Sequence, residues 1–259
     1  RSIREPDSLN NISKNMTGYK PRAFLLAILL ASACAGSLHA ADAHVPLPFR
    51  PGETIQYDIK KLKMRVGQAS LTFHGLVSLD GQSALLITFT SKGLKFFDEE
   101  KIYIDPRTFL PRLVERNLNI FGKKEKIIEH YNAKEGTVRV VKAARGKTTE
   151  QVIKRSVPLD NIYCFIFRYR IMGKFTPGET FQIHLPTKDV QFEAQGPKKL
   201  QLEEKEVVAH YLQSDPVQYR VWFDTGAHKV PLRIDGAIGF GNTAMILRSY
   251  TASNSLTSP

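Results

Sequence analysis

From Gly52 onward the chain alternates apolar and polar side chains with a period of two. Ile55, Tyr57 and Ile59 interleave with Gln56, Asp58 and Lys60, and Ala69, Leu71 and Phe73 with Ser70, Thr72 and His74. Leu85, Ile87 and Phe89 keep the same period, as do Ile102 and Ile104, and Val138 and Val140. Further along come Phe181, Ile183 and Leu185, then Val190, Phe192 and Ala194, then Val217, Tyr219, Val221 and Phe223, then Val230, Leu232 and Ile234. A period of two predicts strands with one apolar and one polar face. Buried parallel strands read as continuous apolar runs, so this alternation predicts antiparallel pairing. Turn signals such as Asp80-Gly81, Phe121-Gly122, Glu135-Gly136, Pro177-Gly178 and Thr225-Gly226 separate the strands at short intervals.

Residues 160–172, DNIYCFIFRYRIM, break the alternation. Ile162, Phe165, Ile166 and Tyr169 fall on one helical stripe, Asp160 suits an N-cap, and Gly173 is placed to end a helix. The same aromatic and β-branched residues also suit two strands; the helix is the better fit. The expected fold is mainly β: a large antiparallel curved sheet, as a half-open barrel or sandwich, with one short helix near residues 160–172. Residues 52–156 and 174–251 are expected to supply strands to one continuous sheet.

The N-terminal region has a different pattern. Lys20 and Arg22 precede an apolar run from Ala23 to Ala33. That run suits the core of a signal peptide and is shorter than the ~20 residues of a bilayer-spanning helix. Ala41-Asp42-Ala43 is a small-x-small cleavage site. The rival reading is lipidation at Cys34, after Ala31-Ser32-Ala33, although Ala31 stands where a lipid-attachment motif usually has Leu. Cleavage after Ala43 is the preferred expectation. The organisation expected is a non-native leader over 1–15, a signal peptide over 16–43 and an extended lead-in over 44–51. A single β-rich domain over 52–251 and a disordered tail over 252–259 follow.

Charge adds a direction. The whole chain carries a formal +12, and residues 44–259 retain 32 basic against 22 acidic side chains. A basic exported surface favours anionic partners such as acidic headgroups over nucleic acid; equally, Lys and Arg serve solubility. Cys164 is the one cysteine beyond the signal segment, so the domain must fold without an internal disulfide.

Catalytic motifs are missing. There is no G-x-S-x-G elbow, no Gly-rich phosphate loop and no Rossmann or Walker pattern. His44, His74, His130, His184, His210 and His228 have no metal-ligand spacing, although His74, His184 and His210 could meet on a sheet. Cys164 lies in the apolar helix segment, where a thiol is inert. The run Asp98-Glu99-Glu100, flanked by Lys95 and Lys101, reads as a solvated turn or edge. No catalytic residue, cofactor or metal is expected.

Four stretches carry a resemblance. They are GETIQYDIKKLKMRVGQASL, YIDPRTFLPRLVERN, PLDNIYCFIFRYRIMGKFTPGETFQIHL and YRVWFDTGAHKVPLRIDGAIGFGNTAMIL. Together they resemble an uncharacterised family of exported bacterial proteins, domain of unknown function 3108. The likeness runs over about residues 50–250 and rests on Gly67 and Ala69, Asp105 to Pro111, the helix with its arginines, Trp222, and Pro231-Leu232-Arg233. It implies an exported β-rich domain and no catalytic residues. By analogy of shape, such domains look similar to periplasmic carriers that wrap a half-open barrel around a helix.

The expected function is a non-enzymatic envelope protein, periplasmic or otherwise exported, that binds a lipid or acylated ligand with a basic rim. The alternative is an assembly factor docking on another envelope protein; an enzyme acting on a glycan or lipid ranks third. No transmembrane span is expected in the mature chain. Candidate ligand-binding residues are Arg168, Arg170, Trp222, Arg233, Phe96 and Phe97. Arg168 and Arg170 on an apolar helix are first expected to meet an acidic residue, since an unpaired buried charge is costly.

Overall fold

The computed structural model describes residues 47–238 and 243–252. The expected leader, the expected signal peptide with Cys34 and the Ala41-Asp42-Ala43 site, and the tail beyond 252 lie outside the described residues.

Among the described residues, fourteen strands build one antiparallel sheet. They are β1 (Glu53–Lys61), β2 (Met64–Leu79), β3 (Gln82–Gly93), β4 (Phe96–Ile104), β5 (Pro111–Ile120), β6 (Lys123–Asn132) and β7 (Thr137–Ala144). After β8 (Lys147–Lys154) comes the helix α1 (Ile162–Met172), then β9 (Thr180–Leu185), β10 (Lys188–Leu202) and β11 (Lys205–Asp215). β12 (Arg220–Phe223), β13 (Pro231–Asp235) and β14 (Thr243–Thr251) close the order. Both halves are simple meanders, and β1 pairs with β14 to join them. β8 and β9 are left as the two edges, so the sheet is open there. The short turns explain the meander. Asp80-Gly81, at φ 50° and 76°, is a left-handed two-residue hairpin of the kind that matches strand twist.

The inner face carries the expected apolar positions. Ile55, Tyr57 and Ile59 on β1, Leu71 and Phe73 on β2, and Phe89 on β3 are all buried. α1 lies against this concave face. Tyr163 stacks on Phe89 at 4.4 Å between ring centroids, Phe165 on Phe192 at 4.4 Å, and Tyr169 meets Phe223 at 5.7 Å. Phe167 packs 5.8 Å from Phe73 and 4.8 Å from Phe49 of the lead-in. These contacts reach strands of both meanders, so the sheet wraps the helix.

Two expectations about the helix change. The buried surface is wider than one stripe: Tyr163, Cys164, Phe165, Ile166, Phe167, Tyr169 and Arg170 are buried, while Met172 is exposed. A helix buried over most of its circumference needs enclosure rather than one neighbour. The N-cap is Asn161, whose side chain accepts from the Tyr163 N–H at 2.8 Å, and not Asp160. Asp160 instead pairs with Arg168. Gly173 ends the helix, as expected, by donating its N–H to the Tyr169 carbonyl at 2.8 Å.

Candidate ligand-binding end of the sheet

The hairpins β1–β2, β3–β4, β5–β6 and β7–β8 turn at the same end of the sheet, because alternate turns of a meander share an end. At this end Phe97 stands at the start of β4, with 38% of its surface exposed. Its ring is a common wall of three depressions. One, of about 580 Å³, continues over Asn117, Asn119, Lys124, Lys126 and Thr148. A second, also about 580 Å³, lies between the tips with Leu94, Lys95 and Phe121. A third, about 310 Å³, is bounded by Gln68, Ser70, Thr90, Lys92 and Arg248. Phe96 points the other way, over the bare backbone of Gly67 and Gly93: a Cβ on Gly93 would sit 2.1 Å from its ring. The two adjacent phenylalanines therefore divide, Phe96 locking the hairpin and Phe97 presenting a face outward.

The tips themselves are apolar and basic. Leu62 is 80% exposed, Leu94 94% and Phe121 71%, with Met64 also exposed. The tip segments 61–66, 92–97, 120–124 and 144–148 contain nine Lys or Arg and no Asp or Glu. Three acidic residues just behind them are already engaged: Asp58 with Arg65, Asp98 with Arg116, and Glu125 with Lys142. The opposite turns of the same strands are of mixed charge, with Asp80, Asp105 and Glu135 beside Arg107 and Lys134.

Behind Phe97 the run Asp98-Glu99-Glu100 corrects an expectation. It is not a solvated turn: Asp98 and Glu100 face inward and are buried. Arg116, directly across the sheet from Glu100, donates to Asp98 at 2.8 and 2.5 Å and lies 3.3 Å from Glu100. Burial, with repulsion from Asp98 and Glu129, pushes the Glu100 carboxyl up to about 7 against the pull of Arg116. Nearby, the Tyr131 hydroxyl donates to Glu129 at 2.6 Å. The alternation places Asp98 and Glu100 on the apolar parity of β4, and that was the only trace of this cluster in the sequence.

The other candidate residues lie elsewhere. Arg170 makes a buried two-pronged pair with Glu53 and donates to the His228 carbonyl. Its guanidinium also covers the Phe49 ring at 4.7 Å. Arg168 pairs with Asp160 and reaches the Phe109 carbonyl. Trp222 and Arg233 are cross-strand neighbours, the guanidinium 4.8 Å over the indole, with Arg233 held by Asp235 at 2.7 Å. Of the six, Phe96 and Phe97 alone are at the tip end. His74 bonds Thr88, His184 meets Asp189 at 3.0 Å, and His210 contacts Phe175, so the three histidines do not converge. Among the described residues, no three His, Cys, Asp or Glu side chains form a metal-sized cluster.

Comparison with known proteins gives a family and no named activity. No curated protein matches the chain. Among solved structures, the crystal structure of the beta-barrel-like protein of domain of unknown function DUF1849 from Brucella abortus is similar at a TM-score of 0.48 and 9% identity. That match covers 80% of this chain and 99% of the other. The family model described as protein of unknown function (DUF3108) matches residues 55–248, most of the chain. The chain belongs to that family.

Proposed function

We propose that this protein is an exported, non-enzymatic binder of an amphiphile, with an apolar or acylated part against Phe97 and an anionic group held by the surrounding Lys and Arg. The observation that carries this is the position of Phe97: one exposed aromatic ring walls three depressions, and basic side chains line each of them. Ligand sites commonly combine apolar walls with a few polar groups that fix orientation. The centre of the curved sheet is a poor alternative, because Phe73, Phe89, Phe165, Phe167 and Phe192 fill it almost without exposure.

Native mass spectrometry of the purified protein, with uptake of a fluorescent fatty acid, tests the proposal. A bound amphiphile that is lost in Phe97→Ser supports it. An empty protein that takes up no probe rules it out. One observation favours the assembly-factor alternative: β8 is an unpaired edge, exposed from Lys147 to Val152. Exposed edges recruit further strands. Cross-linking from whole envelopes that traps a stoichiometric protein partner on β8, with no bound amphiphile, would favour it.

A further inference from the structure

Two hairpin turns at the tip end carry residues that the turn itself disfavours. Leu62-Lys63 has φ 49° and 67°, and Phe121-Gly122 has φ 51° and 81°. Both are left-handed two-residue turns, which favour Asn, Asp or Gly at the first position. A bulky apolar side chain at positive φ is strained. The same chain uses Asp80-Gly81 for an equivalent turn at the opposite end, so a strain-free solution is within its repertoire. Leu62 and Phe121 gain no burial in return, being 80% and 71% exposed. Backbone strain that the fold does not require points to a role outside the fold.

The tips act as one surface. A Cβ on Gly93 would lie 2.6 Å from the Val66 carbonyl, which places the β1–β2 tip against the β3–β4 tip. The Phe121 N–H donates to the Lys95 carbonyl at 2.8 Å, tying the β3–β4 tip to the β5–β6 tip. Leu62, Leu94 and Phe121 thus project from neighbouring hairpins, among Lys63, Lys95, Lys123 and Lys124. Exposed apolar patches of this kind mark interaction sites. The charge decides the partner: apolar tips in a wholly cationic collar complement a surface with an apolar interior and an anionic skin.

We propose that this end of the sheet docks on an anionic phospholipid bilayer. Leu62, Leu94 and Phe121 enter the boundary between headgroups and acyl chains, and the collar of Lys and Arg meets the lipid phosphates. The proposal deepens the amphiphile reading, on which it rests for its site, by naming the surface from which the ligand is taken.

Co-sedimentation of the full protein with vesicles tests it. Vesicles containing phosphatidylglycerol should bind the protein, those of phosphatidylcholine alone should not, and high salt should weaken the binding. Each removed cation, as in Lys63→Gln or Lys95→Gln, should lower partitioning about fivefold. The decisive variant is Leu62→Asn with Phe121→Asn. It should raise the melting temperature, since Asn tolerates these turns, while lowering partitioning at least ~tenfold. Undiminished vesicle binding by this variant would overturn the proposal, as would equal binding of the native protein to neutral vesicles. Uptake of dissolved short-chain phosphatidylglycerol separates the two ideas. Uptake without vesicle binding sinks the docking alone; vesicle binding without uptake sinks the ligand reading alone.

Discussion

Arg170 and Glu53 meet head-on inside the protein, with nitrogen–oxygen distances of 2.6 and 3.0 Å and side chains 0% and 1% exposed. The pair spans 117 positions of sequence and fastens α1 to the first strand. Tyr250 donates to the same carboxylate at 3.0 Å, so β14 is drawn into the same network.

Breaking that pair on one side should be severe. Arg170→Met or Glu53→Gln leaves an uncompensated buried group, at a cost of about 3 to 5 kcal/mol. The double variant Arg170→Met/Glu53→Leu should recover much of the loss, because neither charge then needs solvation. Urea unfolding of the three variants measures this. Single variants within about 1 kcal/mol of the native protein would show that the pair does not organise the interior.

Glu100 should make stability depend on pH. Its folded-state carboxyl titrates near 7, above the ordinary value of 4.5, chiefly because it is buried. The folded state therefore holds the proton more tightly than the unfolded chain. The contribution is complete below about pH 4.5 and is lost as pH rises through 7, amounting to about 3 kcal/mol at most. Glu100→Gln should flatten this part of the stability profile, seen in unfolding midpoints between pH 5 and 8. An unchanged slope in the variant would assign the pH dependence to other groups.

Cys164 should be chemically silent in the native protein. It is fully buried in α1, and burial pushes its thiol well above the usual range. A thiol-specific chromogenic reagent should react only after urea unfolding. Rapid labelling under native conditions would mean that the helix leaves the sheet readily.

Gly67 should not tolerate a side chain. A Cβ there would lie 2.4 Å from the Lys92 carbonyl and 2.8 Å from the Phe96 ring. Gly67→Ala should cost about 1 to 3 kcal/mol and, by shifting Phe96, weaken amphiphile uptake beside Phe97. Calorimetry and the fatty-acid titration together test this. A normal melting temperature with normal uptake would remove Phe96 as the lock of the hairpin.

How much was legible follows from the range of each interaction. Strand alternation, the turns and the interruption at 160–172 are local, and most appear where the pattern puts them; the exception is Val217 and Tyr219, which precede β12. The stop at Gly173 is likewise a local signal. The choice between Asp160 and Asn161 as cap was not, because Arg168 captures Asp160 from eight residues along the chain. Phe96 and Phe97 could be singled out together, but their division of labour depends on Gly67 and Gly93, which are apart in sequence. Phe121-Gly122 reads as an ordinary turn signal and Leu62 carries no signal in the sequence; the positive φ and exposure of both follow from the folded hairpins.

By itself the sequence determined that this is an antiparallel β protein with one apolar helix and an excess of positive charge. These follow from periodicity and composition, which act over a few residues. Tertiary structure alone decided that the helix fills the sheet instead of bordering a cavity. It also decided that Asp98 and Glu100 are buried beside Arg116, and that the exposed apolar tips and their lysines gather at one end. Each of these depends on strand register and sheet curvature, which bring together residues that no local pattern relates.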